Sequence, residues 1–312
     1  MAKVAFVFPG QGSQEAGMGR AVHDAYVAAR QVFQAADQAL GEPLSRLCFE
    51  GPEEDLQLTA NTQPAILTTS IALYRALGES CDMAAGHSLG EYSAHVVAGT
   101  LPFEQAVKIV SERGRFMQEA VPVGQGAMAA VLNGDREQVE KACSETEGVV
   151  QPVNYNCPGQ LVIAGEVGAV ERAAEAIRQQ QSVKIRKLPV SAPFHCSLMD
   201  PAAQNLRPLL ERADFVDPAL PVYANVNARP VVTAAEAREA LACQVAQPVL
   251  WQQIVERMIA DGARLFVEIG PGKVLTRLVG RIDKTVAAIN VEDPAGFETA
   301  RQAIAEARTS AG

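Results

Sequence analysis

Apolar runs of strand length alternate along the chain with segments in which apolar residues recur every three or four positions, a pattern that predicts an α/β architecture. The run KVAFVF (3–8) predicts a strand leading into PGQGSQ, with one helix expected over 20–39 and another over 62–77. CDMAAGH (81–87) predicts a short strand of small residues running straight into Ser88. The following LGEYSAHVVAG has helical spacing and stops at Gly99, a C-cap glycine. From residue 125 the rhythm changes. AMAAVL reads as strand, DREQVEKACSE as helix, VVQPVNY and QLVIAG as strands, VGAVERAAEAIRQQ as helix and VKIRKLPV as strand. That order, βαββαβ, is the ferredoxin-like pattern. A hydrolase-like α/β domain formed by 1–124 and 192–312 is therefore expected, with a small ferredoxin-like subdomain over 125–191 inserted into it. Its sheet should resume at PVYANV (221–226) and LFVEI (265–269).

The junction at Ser88 carries candidate chemistry. In GHSLG (86–90) the serine stands between two glycines, after a strand and before a helix, which is the setting of a nucleophile elbow. Gly86 and Gly90 leave room for strand and helix backbones to approach while the hydroxyl projects from the turn. A serine hydroxyl needs a base. His87 is expected to point to the other side of the strand end. His195, just past a strand in a proline-flanked loop (KLPVSAPFHCSLM), is the better candidate. No triad acid is evident between the two, because Glu104, Asp135 and Glu171 read as polar helix faces. Either the assignment fails or His195 is oriented by a neutral group.

Composition narrows the classes. The 312 residues are 48% hydrophobic, enough for a large core, and the formal net charge is −9. An acidic chain is a poor general binder of nucleic acid or anionic membrane. The opening MAKVAFVFPGQG is too short an apolar run for a secretory signal, and no run reaches spanning length, so a cytoplasmic protein is expected. The six cysteines and four histidines are scattered without C-x-x-C or zinc spacing, so neither a disulfide framework nor a metal site is expected. The glycines of FPGQGSQEAGMG fail the dinucleotide fingerprint at Glu15 and lack the lysine of a phosphate loop. They remain an ordinary turn or a loop whose N–H groups face the nucleophile.

Two cationic features stand out. Ala106, Val110, Arg113 and Met117 form the inward stripe of a helix, which places a guanidinium in apolar surroundings. It is either part of an internal ion pair or a clamp for a substrate carboxylate. In KVLTRLVGRIDK, the cations Lys273, Arg277, Arg281 and Lys284 share one helical face, with Val274, Leu278 and Ile282 as a separate row able to pack inward. That face is either simply solvated or a docking strip for an acidic partner.

Taken together these stretches resemble the malonyl-CoA:acyl carrier protein transacylases. The likeness is carried in order by FVFPGQGSQ, NTQPAIL, GHSLGEYSA, RGRFMQEAVP, NYNCPGQLVIAG, SAPFHCSLM, QPVLW and VEIGPGKVL, from about residue 4 to residue 293. The resemblance implies Ser88 as nucleophile, His195 as base, and the N–H groups of Gln11 and Leu89 as oxyanion hole. It implies Arg113 as ligand of the malonyl carboxylate, Gln63 and Asn156 as pocket residues, and the backbone carbonyl at Gln244 as the neutral group that holds the histidine. It further implies malonyl-CoA and a phosphopantetheine-bearing acyl carrier protein as substrates in fatty acid synthesis, with no cofactor, and a monomer is expected. Phe194, where many fatty-acid enzymes have serine, is also familiar in polyketide malonyltransferases. Cys157 stands where the family often has a hydroxyl residue. A serine hydrolase and a non-catalytic carrier-docking module remain as other classes.

Overall fold

A computed structural model describes residues 2–190 and 192–309. Its strands are β1 (Lys3–Phe8), β2 (Met83–Gly86), β3 (Gly126–Leu132), β4 (Val150–Cys157), β5 (Gln160–Glu166), β6 (Lys184–Lys187), β7 (Val222–Tyr223), β8 (Pro230–Val231), β9 (Ala263–Ile269) and β10 (Ala287–Val291). Six form one sheet in the order β10-β9-β1-β2-β7-β8, parallel except for the β7–β8 pair. Val4–Phe8 are fully buried, as a central parallel strand covered by helices on both faces requires. The other four strands form an antiparallel sheet in the order β4-β5-β3-β6, with the helices Arg136–Glu145 and Val167–Gln180 as its two crossovers. That is the strand order of a ferredoxin-like unit. The expected subdomain boundary at residue 191 lies outside the described residues.

The two sheets are stitched beside the elbow. Tyr155 N–H donates to Val249 O at 2.9 Å, and Val249 N–H donates to Val153 O at 2.8 Å, so β4 is tied to the segment after the helix Ala234–Gln244. Arg281 adds a second tie, donating to Gln160 Oε1 at 2.7 Å in the small sheet.

Some local expectations change. The helix expected over 20–39 is two helices, Arg20–Ala25 and Val27–Leu40, parted at Tyr26. Tyr26 takes an extended backbone and packs its ring 5.2 Å from that of Phe297. The cationic strip is only partly helical: the helix spans Val274–Ile282, with Lys273 at its N-cap and Lys284 beyond its end. Leu275, Leu278 and Val279 face inward, whereas Val274 is exposed, because a row at i, i+4 drifts around a helix of 3.6 residues per turn. Cys157 packs with Trp251, Val249 and Tyr223, a core role that accounts for its apolar character.

The elbow depends on how closely β1, β2 and the helix Gly90–Val97 approach. A Cβ on Gly90 would lie 2.0 Å from Phe8 O, and one on Gly86 would lie 1.8 Å from the Gly90 carbonyl carbon. Both obstacles are backbone and cannot step aside. Gly90→Ala is expected to lower stability by about 3 kcal/mol or to prevent folding. Gly280, helical with nothing near its added Cβ, provides the contrast: Gly280→Ala should raise stability by roughly 0.5–1 kcal/mol. Urea midpoints of the two variants measure both; equal effects would contradict the packing described.

Candidate active site

The site opens beyond the carboxyl ends of β1 and β2, where ligands of open α/β sheets bind. Ser88 turns the chain with φ 52°, a left-handed conformation that costs a non-glycine residue energy. Asn225, just after β7, holds the turn from both sides. Its Oδ1 accepts from Ser88 N–H at 2.7 Å and its Nδ2 donates to Gly86 O at 2.7 Å.

Ser88 Oγ lies 2.7 Å from His195 Nε2, across 107 residues of sequence. His195 Nδ1 lies 2.8 Å from the backbone oxygen of Gln244. A carbonyl can only accept, so Nδ1 carries the proton and Nε2 is left bare to receive the serine proton. Gln244 ends its helix, where carbonyls lack intrahelical partners and the helix dipole is negative. That carbonyl therefore orients the neutral ring and favours the imidazolium that forms when the ring takes a proton. Burial, and then the nearby Arg113 charge, pull the His195 pKa down to about 3, so the resting ring is neutral near physiological pH.

Arg113 is buried with the rest of its stripe, Ala106, Val110 and Met117. No ion pair holds it among the described residues. Nη1 donates to Gln63 Oε1 at 2.7 Å, and Nη2 donates to Gln244 Oε1 at 2.8 Å and to Ser88 Oγ at 3.2 Å. A guanidinium has five donors, so two are left for another acceptor; Nε is buried and unpartnered. The Tyr92 ring lies 5.6 Å from the guanidinium carbon and adds a cation–π contact. A dry cation with spare donors beside a serine hydroxyl suits an anionic acyl group.

One cavity joins these groups. Gln11, Gln63, Ser88, Leu89, Arg113 and His195 line it, with Met117, Met128, Leu188, Val190 and Phe194 as an apolar wall. Gly10 presses the Gln11 turn against the elbow, where a Cβ would meet His87 O at 2.4 Å. Leu89 opens the elbow helix, whose first N–H groups have no intrahelical acceptor. Gln11 and Leu89 thus stand on facing turns beside the Ser88 hydroxyl, an arrangement in which two backbone N–H groups could hold an oxyanion.

One expectation needs correction. His87 borders the cavity, and its side chain is engaged away from Ser88: its Nε2 meets Asn156 Oδ1 at 2.9 Å and its ring packs against Trp251. Asn156 is thereby drawn back to hold His87. The asparagine on the cavity wall is Asn154, whose Oδ1 is buried and unpartnered. Residues two apart on a regular strand share a face, but the register of β4 slips between Tyr155 and Cys157, which parts the two asparagines. Glu104, Asp135 and Glu171 are exposed, as expected. A carboxylate that the sequence reading passed over does stand behind the site: Glu91, fully buried, accepts from Gln244 Nε2 at 2.7 Å and Asn225 N–H at 3.0 Å. Its signal was an acid on a helix with no other Asp, Glu, Lys or Arg. Asn225 was also missed, a polar residue directly after a buried strand.

The cations of the strip, Lys273, Arg277, Arg281 and Lys284, are all exposed and lie apart from the cavity. Among the described residues no cluster suits a metal ion, and no helix is long and apolar enough to cross a membrane.

The acyl transferase domain model matches residues 5–304. The chain is 45% identical over 317 residues, covering 100% of both chains, to the malonyl CoA-acyl carrier protein transacylase of Bacillus subtilis. A solved acyl carrier protein S-malonyltransferase from Vibrio cholerae superposes with a TM-score of 0.94 at 44% identity, over 96% of this chain and 100% of that one. A malonyl-transacylase solved in complex with its type II PKS acyl-carrier protein matches with a TM-score of 0.94 at 44% identity, over 97% and 100%. With nearly its whole length matched on both counts, the chain belongs to the malonyl CoA-acyl carrier protein transacylase family of acyl transferases.

Proposed function

We propose that the protein moves a malonyl group from malonyl-CoA to the phosphopantetheine thiol of an acyl carrier protein through a malonyl-Ser88 ester, supplying fatty acid synthesis. The observation that carries this reading is Arg113, a buried guanidinium with no ion pair among the described residues, 3.2 Å from the hydroxyl that would take the acyl group. In the first half-reaction His195 Nε2 takes the Ser88 proton as the oxygen attacks the thioester carbonyl. The N–H groups of Gln11 and Leu89 hold the oxyanion. Collapse expels the CoA thiolate, which leaves with the proton from His195. The carrier thiol then reverses the sequence. Gln63 and the Gln244 side chain aim the guanidinium at the malonyl carboxylate, while the Gln244 carbonyl holds His195. The reading takes the protein to act as a monomer in the cytoplasm. Phe194 on the cavity wall and the carrier complex of the polyketide relative favour a second setting for the same chemistry, malonyl supply to polyketide assembly.

The test is a competition between radiolabelled malonyl-CoA and acetyl-CoA for transfer to holo carrier protein. The wild type should prefer malonyl strongly. A charge-assisted contact is worth about 1.5–3 kcal/mol, so Arg113→Ala should cut that preference by roughly tenfold or more. An unchanged preference would remove Arg113 from substrate binding. Release of free malonate without malonyl-carrier would make the protein a hydrolase.

The exposed strip of Lys273, Arg277, Arg281 and Lys284 is proposed as the docking surface for the acidic carrier protein. Arg281 is partly committed to Gln160 and the Pro158 carbonyl, so Arg277 and Lys284 are the cleaner probes. Rim charges act through encounter and are screened over about 8–10 Å. Arg277→Glu with Lys284→Glu should raise the KM for carrier protein severalfold and flatten its salt dependence, while Ser88 malonylation from CoA stays near the wild-type rate. Equal slowing of both half-reactions, or of neither, would place docking elsewhere.

A further inference from the structure

Glu91 has no part in the transfer steps above, yet it is built into them. It lies three residues after Ser88, with no exposed surface. Its Oε2 accepts from Gln244 Nε2 at 2.7 Å, and Gln244 Oε1 accepts from Arg113 Nη2 at 2.8 Å. A single amide thus spans cation and carboxylate, its NH₂ end toward the negative group and its carbonyl toward the positive one. Gln244 Nε2 also reaches Ser88 O at 2.9 Å, so the same amide touches the elbow. The second carboxyl oxygen, Oε1, is buried without a hydrogen bond, its neighbour being His95 Nε2 at 4.0 Å.

We propose that Glu91 is the resident counter-charge of Arg113, and that seating a malonyl carboxylate on Arg113 drives a proton onto Glu91. The inference rests on the malonyl-transfer reading. In a dry site one guanidinium offsets one carboxylate, and a second anion leaves an uncompensated charge, which is costly. Between two carboxylates sharing a cation, the one with the poorer set of donors protonates. Glu91 is that one: its Oε1 has no donor, and an O–H there would face the neutral His95 ring, whereas two guanidinium donors remain for the malonyl group.

The surrounding charges fit an exchange near neutral pH. Burial pushes the Glu91 carboxyl up to about 7, against the opposing pull of Gln244, Asn225 and Arg113. The other titratable groups facing it or Arg113 are settled. His95 on the same helix and His195 are held down at about 3, His87 is lowered, and Tyr92 is raised by burial. Arg113 is lowered by burial, with Tyr92 and Glu91 opposing that shift. The balanced step joins Ser88–OH, malonyl-CoA, the Glu91 carboxylate and one solvent proton. It gives the malonyl ester, CoA thiol and the Glu91 carboxylic acid. The serine C–O bond forms, the thioester C–S bond breaks, the serine proton leaves with CoA through His195, and the solvent proton stays on Glu91.

The test is equilibrium labelling of Ser88 at a fixed ratio of radiolabelled malonyl-CoA to CoA from pH 6 to 8.5, repeated with acetyl-CoA and with Glu91→Gln. Acetyl-CoA shares the ionisation of CoA but carries no carboxylate. Glu91→Gln keeps an oxygen for Gln244 and Asn225 while losing the charge. The malonyl-enzyme to free-enzyme ratio should fall above pH 7, approaching the limit of about tenfold per pH unit for one coupled proton. Acetyl labelling should lack this fall, and Glu91→Gln should remove it from the malonyl curve. If that variant does not fold, the wild-type difference between malonyl and acetyl curves decides. Identical curves for the two acyl groups, or a malonyl slope that survives in Glu91→Gln, would overturn the proposal. Absence of label on Ser88 at every pH would instead overturn the transfer reading beneath it.

Discussion

The buried guanidinium of Arg113 is the constraint around which the rest of the site is arranged. Taking such a cation out of water costs several kcal/mol unless its charge and donors are met. Here they are met by neutral amides, Gln63 from the helix Thr59–Leu77 and Gln244 from the end of Ala234–Gln244, with Glu91 behind the second amide. A direct carboxylate contact would stabilise the resting protein more and leave less attraction for a substrate. Holding the counter-charge one amide away keeps the arginine in place while leaving donors unspent.

Gln244 links this charge to the chemistry. Its side chain binds Arg113, Glu91 and the elbow carbonyl, while its backbone oxygen fixes the tautomer of His195. Movement of one residue would therefore disturb His195, the elbow and Arg113 together. The fold supplies the rigidity this needs. The elbow is pressed between β1 and β2 at glycine distances, Asn225 ties it to the strand beyond, and the small sheet is stitched to the segment just past Gln244.

How much of this was legible in the sequence follows from how local each signal is. The elbow could be read because a strand of small residues, Gly86, Ser88, Gly90 and an apolar helix are contiguous. Arg113 could be read because a helical stripe is a local pattern. The neutral support of His195 was legible only through family resemblance, since Gln244 lies 49 residues away. Glu91 and Asn225 were not legible as partners: they meet across 134 residues, and nothing in either neighbourhood names the other. Asn156 was expected in the pocket because resemblance gives a motif, while the irregular register of β4, which no local pattern announces, decides which asparagine reaches the cavity. Val274 was placed inward because a spacing of four was treated as a full turn.

The most direct measurement is a crystal structure of the wild-type protein after soaking with malonyl-CoA in the absence of carrier protein. The expected result is an ester on Ser88 Oγ with its far carboxylate on the Arg113 guanidinium, while Gln63 and Gln244 keep their present contacts. A carboxylate turned to solvent, or an Arg113 that has swung onto Glu91, would contradict the central claim that this arginine is held in reserve for the substrate.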